Sequence, residues 1–158
     1  MHWEGSASDK ISIGDLKTIT TYQAGIMQSV AHLALQKQCN EILTPYGITK
    51  LQWLIIGTAR DAGQRGVRVS TLRKWLGVTP THLRNMLRAL EDRRILNWGI
   101  DRAGRRSRLI RIHPDFAPDC DEIERSLRNG LRESIYSTIT PIEFRVYMKV
   151  LHQLSQMQ

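Results

Sequence analysis

Residues 70–112 read STLRKWLGVTPTHLRNMLRALEDRRILNWGIDRAGRRSRLIRI, and the way this stretch folds decides the architecture of the chain. It divides into a short helix, a turn, a second helix, and two short strands joined by an arginine-rich tip. Ser70 is expected to cap the first helix by accepting a hydrogen bond from its orphan amides. Gly77 is expected to end it in the left-handed conformation that a residue without Cβ adopts freely. Thr79 then caps the second helix, with Pro80 at the first helical position, where a missing N–H costs nothing. That helix is expected to run to about Arg93 or Arg94.

At about 100° per residue, Leu83, Met86, Leu87 and Leu90 fall on one face of the second helix, which is therefore the buried one. The opposite face carries Thr81, Asn85 and Arg88, flanked by His82 and Arg84. Such side chains suit a DNA groove: arginine bonds guanine bidentately, asparagine does so with adenine, and a threonine methyl touches thymine. Any surface helix has a polar face, so the helix alone does not decide between a DNA partner and plain solvent. The hairpin beyond it does. ILNWGID alternates apolar and polar residues as a half-buried strand, RAGRRS forms a glycine-centred tip, and RLIRI alternates again as the return strand. Arg102, Arg105, Arg106, Arg108 and Arg111 thus gather on one hairpin whose single acid is Asp101. So much unbalanced guanidinium beside a helix-turn-helix reads as a wing that grips phosphate or enters the minor groove.

The charge distribution points the same way. The chain of 158 residues carries a net charge of +8, and residues 60–113 hold fourteen Lys or Arg against four Asp or Glu, leaving nine against eleven elsewhere. The basic excess therefore lies in the proposed reading module. A membrane-binding basic helix would pair its charge with a large apolar face on the same segment, and the hairpin has none. Duplex DNA fits better.

The order of helix, short β stretch at Val67 to Val69, helix-turn-helix, and a wing reading DRAGRRSRLIRIHP resembles the MarR family of winged-helix regulators. The resemblance extends over residues 15–158. Family members carry Asp-x-x-Asp-Arg-Arg at the wing. Here Asp101 is followed by Gly104 in place of the second acid, then Arg105 and Arg106. The resemblance implies a mainly α fold with a small antiparallel β wing, a winged helix-turn-helix joined to a helical dimerisation region. It also implies a homodimeric repressor on a pseudo-palindromic operator, released by a small aromatic or anionic effector. Ser70, Thr79, Thr81, His82, Arg84, Asn85, Arg88, Arg102, Arg105, Arg106 and Arg108 are the candidate DNA contacts, with Asp101 supporting the wing. Tyr22, Met27, His32, Tyr46 and Trp53 are the candidates for lining an effector pocket.

The flanking regions extend this division. Residues 1–14 read as a flexible arm, residues 15–46 as an N-terminal dimerisation helix, residues 47–113 as the DNA-binding lobe and residues 114–158 as C-terminal dimerisation helices. In the first helix Leu16, Ile19, Ile26, Val30, Leu33 and Ile42 recur at near-helical spacing, with a weaker stretch around Gln36 to Asn40. Thr44-Pro45-Tyr46-Gly47 ends it. Residues 48–61 form a strongly apolar helix, and 62–66 a loop. After Pro118 the apolar positions Ile123, Leu127, Leu131, Ile135 and Ile139 wind around a long helix. Thr140-Pro141 starts the last one, whose apolar face is Phe144, Tyr147, Val150, Leu151 and Leu154. The terminal helices carry more apolar stripe than a monomer of this size buries, hence the expected dimer.

No constellation for catalysis is visible. The five histidines are scattered, no phosphate-cradling glycine loop has its flanking strand and helix, and the two cysteines belong to no metal-type pair. Neither a metal nor a cofactor is expected, nor an enzyme. Cys39 has only Lys37 nearby to lower its thiol pKa and is expected to be inert. No apolar run approaches a membrane span, and the N-terminus lacks a signal peptide's apolar segment, so a cytoplasmic protein of a bacterium or archaeon is expected. Two other classes stay open on the residues: an architectural DNA binder without an effector, and a protein-interaction module that reuses a winged helix.

Overall fold

The computed structural model of the chain describes residues 18–100 and 108–157. Its elements run in the order α1 (Thr21–Leu43), α2 (Lys50–Ala62), β1 (Val67–Arg68), α3 (Val69–Leu76), α4 (Pro80–Asp92), β2 (Leu96–Ile100), β3 (Arg108–Ile112), α5 (Ala117–Ser134) and α6 (Pro141–Ser155). This is the expected mainly α architecture with a small antiparallel sheet. The backbone divides after Lys37 into two units, Met1–Lys37 and Gln38–Gln158.

In the first unit, Thr20 starts α1. Its backbone N donates to Gln23 Oε1 (2.9 Å), and its hydroxyl accepts from Gln23 N (3.4 Å), a reciprocal cap that satisfies two orphan amides. A start at Asp15 lies outside the described residues. Ile26, Val30 and Leu33, expected on an apolar stripe, are exposed along this helix.

The second unit is built around Leu43, Ile55, Ile56, Leu72, Leu83, Leu87, Leu90, Leu96, Ile110 and Ile123, each 2% exposed or less. These come from every element between the end of α1 and α5 except β1, which adds Val67. Each such side chain contributes about 1.5–3 kcal/mol of burial. The buried part of α1 is its last turn and a half, through Cys39 and Leu43. The stretch where its apolar stripe weakens is thus where it enters this core.

In the second unit, side-chain caps open α2, α4 and α6, whereas α3 and α5 start without one. Thr49 and Gln52 form a capping box for α2, Thr140 and Glu143 form one for α6, and Thr79 accepts from His82 N at the start of α4, followed by Pro80. The start of α3 corrects the expectation for Ser70. Helix α3 begins at Val69 with Arg68 as its N-cap and no side-chain cap, so Ser70 lies inside the first turn. The sheet sets this start: Val67 and Arg68 pair with Ile110 and Leu109, and the chain passes directly from strand into helix. For the same reason β1 is shorter than Val67 to Val69. Helix α4 also stops earlier than expected, at Asp92, and Arg94 turns the chain at φ 56° into β2.

The sheet is ordered β1-β3-β2, antiparallel throughout, with Leu96 opposite Ile112 and Trp98 opposite Ile110. Long side chains stitch the second unit together. Arg111 Nε donates to the Gln64 carbonyl (2.8 Å), Arg94 Nη2 to Asp115 Oδ2 (2.8 Å), and Arg60 pairs with Asp121. Helix α5 ends at Ser134, so Ile135 and Ile139 lie beyond it, beside a 3-10 turn at Tyr136–Thr138. Phe144 of α6 meets the Tyr136 ring edge-on, with centroids 5.1 Å apart. Helix α6 has no buried residue.

Candidate nucleic-acid interface

Helix α4 is fixed from one side only. Leu83, Met86, Leu87 and Leu90 are all buried in the core, which leaves Thr81, His82, Arg84, Asn85 and Arg88 exposed on the other side. Thirteen residues at about 1.5 Å each give a rod of about 20 Å, which fits lengthwise into a groove about 12 Å wide. At its start the Thr79 hydroxyl accepts from His82 N at 3.3 Å and keeps its own proton to donate outward. Gly77, at φ 61°, ends α3 and lets the chain turn into α4 within three residues.

Between the start of α3, the exposed side of α4 and the end of the sheet lies an open cavity of about 600 Å³. Ser70, Arg73, Arg84, Arg88, Trp98 and Arg108 line it, over an apolar floor that includes Leu83 and Leu87. No Asp or Glu is among the lining residues. Among the described residues none of the four arginines takes part in a salt bridge. The Arg108 guanidinium carbon stands 4.4 Å from the centroid of the Trp98 ring, a cation–π contact. Register explains the pairing. Trp98 is opposite Ile110, and Arg108, two residues before Ile110, shares its face and sits diagonally from Trp98.

The cavity therefore brings Ser70, Arg84, Arg88 and Arg108 together, while Thr79 caps α4 and Thr81, His82 and Asn85 lie exposed along that helix. Asp101, Arg102, Arg105 and Arg106 lie outside the described residues. Sequence reasoning missed Arg73 and Trp98. Arg73 was visible as part of the basic pair Arg73-Lys74 at the end of the first helix of the motif. Trp98 becomes visible only once the strand register is fixed.

The candidate effector residues divide between the two units. Tyr22, Met27 and His32 lie in the first: Tyr22 and His32 are exposed and Met27 is half-buried. Tyr46 and Trp53 lie in the second, where the Tyr46 hydroxyl bonds Ser126 Oγ (2.7 Å) and Trp53 is part of the core. Among the described residues no group of three His, Cys, Asp or Glu is placed to hold a metal ion. No helix among them is long and apolar enough to cross a membrane.

A three-stranded wing packed on a helix-turn-helix, with α5 and α6 following, defines a winged helix-turn-helix protein. The fold is shared with solved transcriptional regulators of the MarR family. A MarR-family regulator from Rhodococcus sp. RHA1 superposes with a TM-score of 0.78 at 16% identity, over 87% of this chain and 95% of that one. A cysteine-to-serine mutant of MarR from E. coli, complexed with operator DNA, superposes at 0.71 with 20% identity, over 82% and 91%. Sco3205, a MarR-family regulator from Streptomyces coelicolor in complex with DNA, superposes at 0.73 with 13% identity, over 87% and 88%. No protein-family model and no curated relative matches the sequence. The likeness is thus one of fold, carried by structure at low identity.

Proposed function

We propose that this chain is a sequence-specific, duplex-DNA-binding transcriptional regulator that works as a homodimer in the cytoplasm of a bacterium or archaeon. In this reading it represses its targets until a small aromatic or anionic molecule releases it. The observation that carries the reading is the union of the exposed polar side of α4 with four arginines that, among the described residues, take part in no salt bridge. An unbalanced cluster of this kind is stabilised by a polyanion. Each α4 would enter a major groove, with Thr81, Arg84, Asn85 and Arg88 near bases or phosphates and His82 beside them. Ser70 and Thr79 would hold phosphates, and Arg105 or Arg106 would take the wing into the minor groove, steadied by Asp101.

Dimerisation rests on the large apolar side chains of α6, among them Ile142, Val146, Val150 and Leu154, all exposed. Uncovered apolar surface of this extent on a terminal helix is suited to a second copy of itself. Residues 15–46 and 114–158 would then form the dimerisation region around the 47–113 lobe, with residues 1–14 as an arm. The fold shared with regulators solved on DNA supports the same reading. An effector would act by favouring one separation of the two lobes over another.

Footprinting and gel shifts on genomic fragments at two salt concentrations test the proposal. Discrete protected sites support the regulator, uniform coating supports an architectural binder, and absence of binding leaves an interaction module. A thermal-shift screen of aromatic acids, repeated with the selected duplex present, tests release.

A further inference from the structure

We infer that the cavity between α3, α4 and the tip end of the sheet receives a single backbone phosphate of the duplex, gripped by Arg108, and that Trp98 is the residue that positions Arg108 for it. The inference rests on the DNA-binding reading and adds to it a specific place on the nucleic acid.

The placement is a matter of geometry. If α4 occupies a major groove and the wing the adjacent minor groove, the one sugar–phosphate strand that separates those grooves must pass between them. The space between α4 and the tip end of the sheet is where this cavity opens. Its walls are cationic from three elements, through Arg73 of α3, Arg84 and Arg88 of α4, and Arg108 of β3, with the Ser70 hydroxyl at the start of α3. A site that converges several guanidiniums and one hydroxyl, and no acid, is built for a compact anion with several acceptor oxygens.

Arg108 differs from the other three in how it is held. It opens β3, and a free arginine there would sample many rotamers. The Trp98 face, 4.4 Å from the guanidinium carbon, removes that freedom before DNA arrives. The ring is present for its face. The Trp98 indole N–H is buried without an acceptor among the described residues, so a phenylalanine would forfeit no hydrogen bond there. Leucine, by contrast, would keep bulk and lose the π surface.

The test uses the full chain on a duplex selected by the protein itself. Wild type, Arg108→Ala, Trp98→Phe, Trp98→Leu and Trp98→Leu/Arg108→Ala are titrated across salt concentrations, with melting temperatures measured for each. Arg108→Ala is expected to weaken binding about tenfold and to make the log–log salt slope shallower by about one. Trp98→Leu should reproduce that change of slope, Trp98→Phe should keep most of the wild-type slope, and the double variant should add nothing to Arg108→Ala. Replacing one phosphate at a time by neutral methylphosphonate should weaken wild type at every contacted position, and at one of these per half-site Arg108→Ala should be indifferent. An unchanged slope in Arg108→Ala, or equal methylphosphonate sensitivity in wild type and variant, overturns the phosphate site. A Trp98→Leu protein that melts earlier but keeps the full slope reduces Trp98 to packing and overturns its positioning role. Failure of wild type to bind any duplex removes the DNA reading itself and this site with it.

Discussion

Arg93 Nη1 donates to the Gly47 carbonyl across 2.6 Å, tying the end of α4 to the turn that joins α1 and α2. The same guanidinium reaches the Tyr46 carbonyl from Nη2 (3.2 Å). Gly47 sits at φ 66°, and a Cβ built there would stand 3.1 Å from Arg93 Nη2. The end of the candidate reading helix is therefore latched to a turn 46 residues away, through a position that favours glycine. Arg93→Ala is expected to lower stability by about 1 kcal/mol in urea unfolding, because two carbonyls lose a charged donor at a solvent-exposed site. Gly47→Ala should cost about 1–2 kcal/mol from the left-handed backbone and the crowding together. In an Arg93→Ala background the crowding is gone, so Gly47→Ala should cost less than in wild type. Strict additivity of the two changes would show that they do not act on one another.

Stability and recognition should separate on α4. The Thr79 hydroxyl caps the helix, whereas Asn85 is exposed. Thr79→Ala should lower stability by about 1 kcal/mol, with Thr79→Ser recovering most of it. Asn85→Ala should leave the melting temperature unchanged and alter the base preferred in selected duplexes. Identical selected sequences for parent and Asn85→Ala would remove Asn85 from base readout.

The contrast between α4 and α3 shows what the sequence carried. Helix α4 was legible because its signals are local: Thr79-Pro80 opens it, and four apolar residues at helical spacing mark its buried side. The start of α3 was not, because pairing of Val67 and Arg68 with β3 overrides a serine that would otherwise cap. Periodicity also reports that a face is apolar without reporting what covers it. In α1 the stripe of Ile26, Val30 and Leu33 is exposed, while Cys39, within the stretch where that stripe weakens, is in the core. In the candidate site, the α4 residues and Arg108 were readable one by one from residue type and face. Trp98 needed the cross-strand register, a tertiary fact that no window of sequence contains. The tip residues Asp101, Arg102, Arg105 and Arg106 rest on sequence alone.

The apolar stripe of α6 should hold the dimer together. Ile142, Val146, Val150 and Leu154 succeed one another at intervals of four, with exposures of 45–71%. Across a two-fold axis a single substitution is met twice, so Val146→Glu introduces two charges into one interface. The variant should elute at monomer mass at micromolar concentration with unchanged helical circular dichroism, while wild type elutes as a dimer. Its footprint should shrink from two half-sites to one or vanish. Wild-type protein of monomer mass would defeat the dimer.

The two thiols should be quiet in the folded protein and couple stability to alkaline pH. Burial pushes the Cys39 thiol above the ordinary cysteine range, and Lys50, brought close by the fold, only partly opposes this. Burial raises Cys120 too, with Arg60 pulling the other way and Asp121 and Asp119 adding to the rise. Both cysteines are unpaired. Because the thiolate is the reactive form, a disulfide reagent at mildly alkaline pH should modify the native protein slowly and both thiols at once in denaturant. For stability the sign comes from proton counts. A thiol whose pKa is raised by folding holds its proton in the native state at a pH where the unfolded chain, at about 8.5, has released it. Its contribution is thus fully present below that range and is lost as pH rises through the native value. Burial raises Tyr136 in the same direction, at still higher pH. Melting temperatures tracked from about pH 7 to about pH 10 should therefore fall, and Cys39→Ala should start lower and fall less steeply. A Cys39→Ala curve parallel to wild type across that range would mean that this thiol carries none of the alkaline sensitivity.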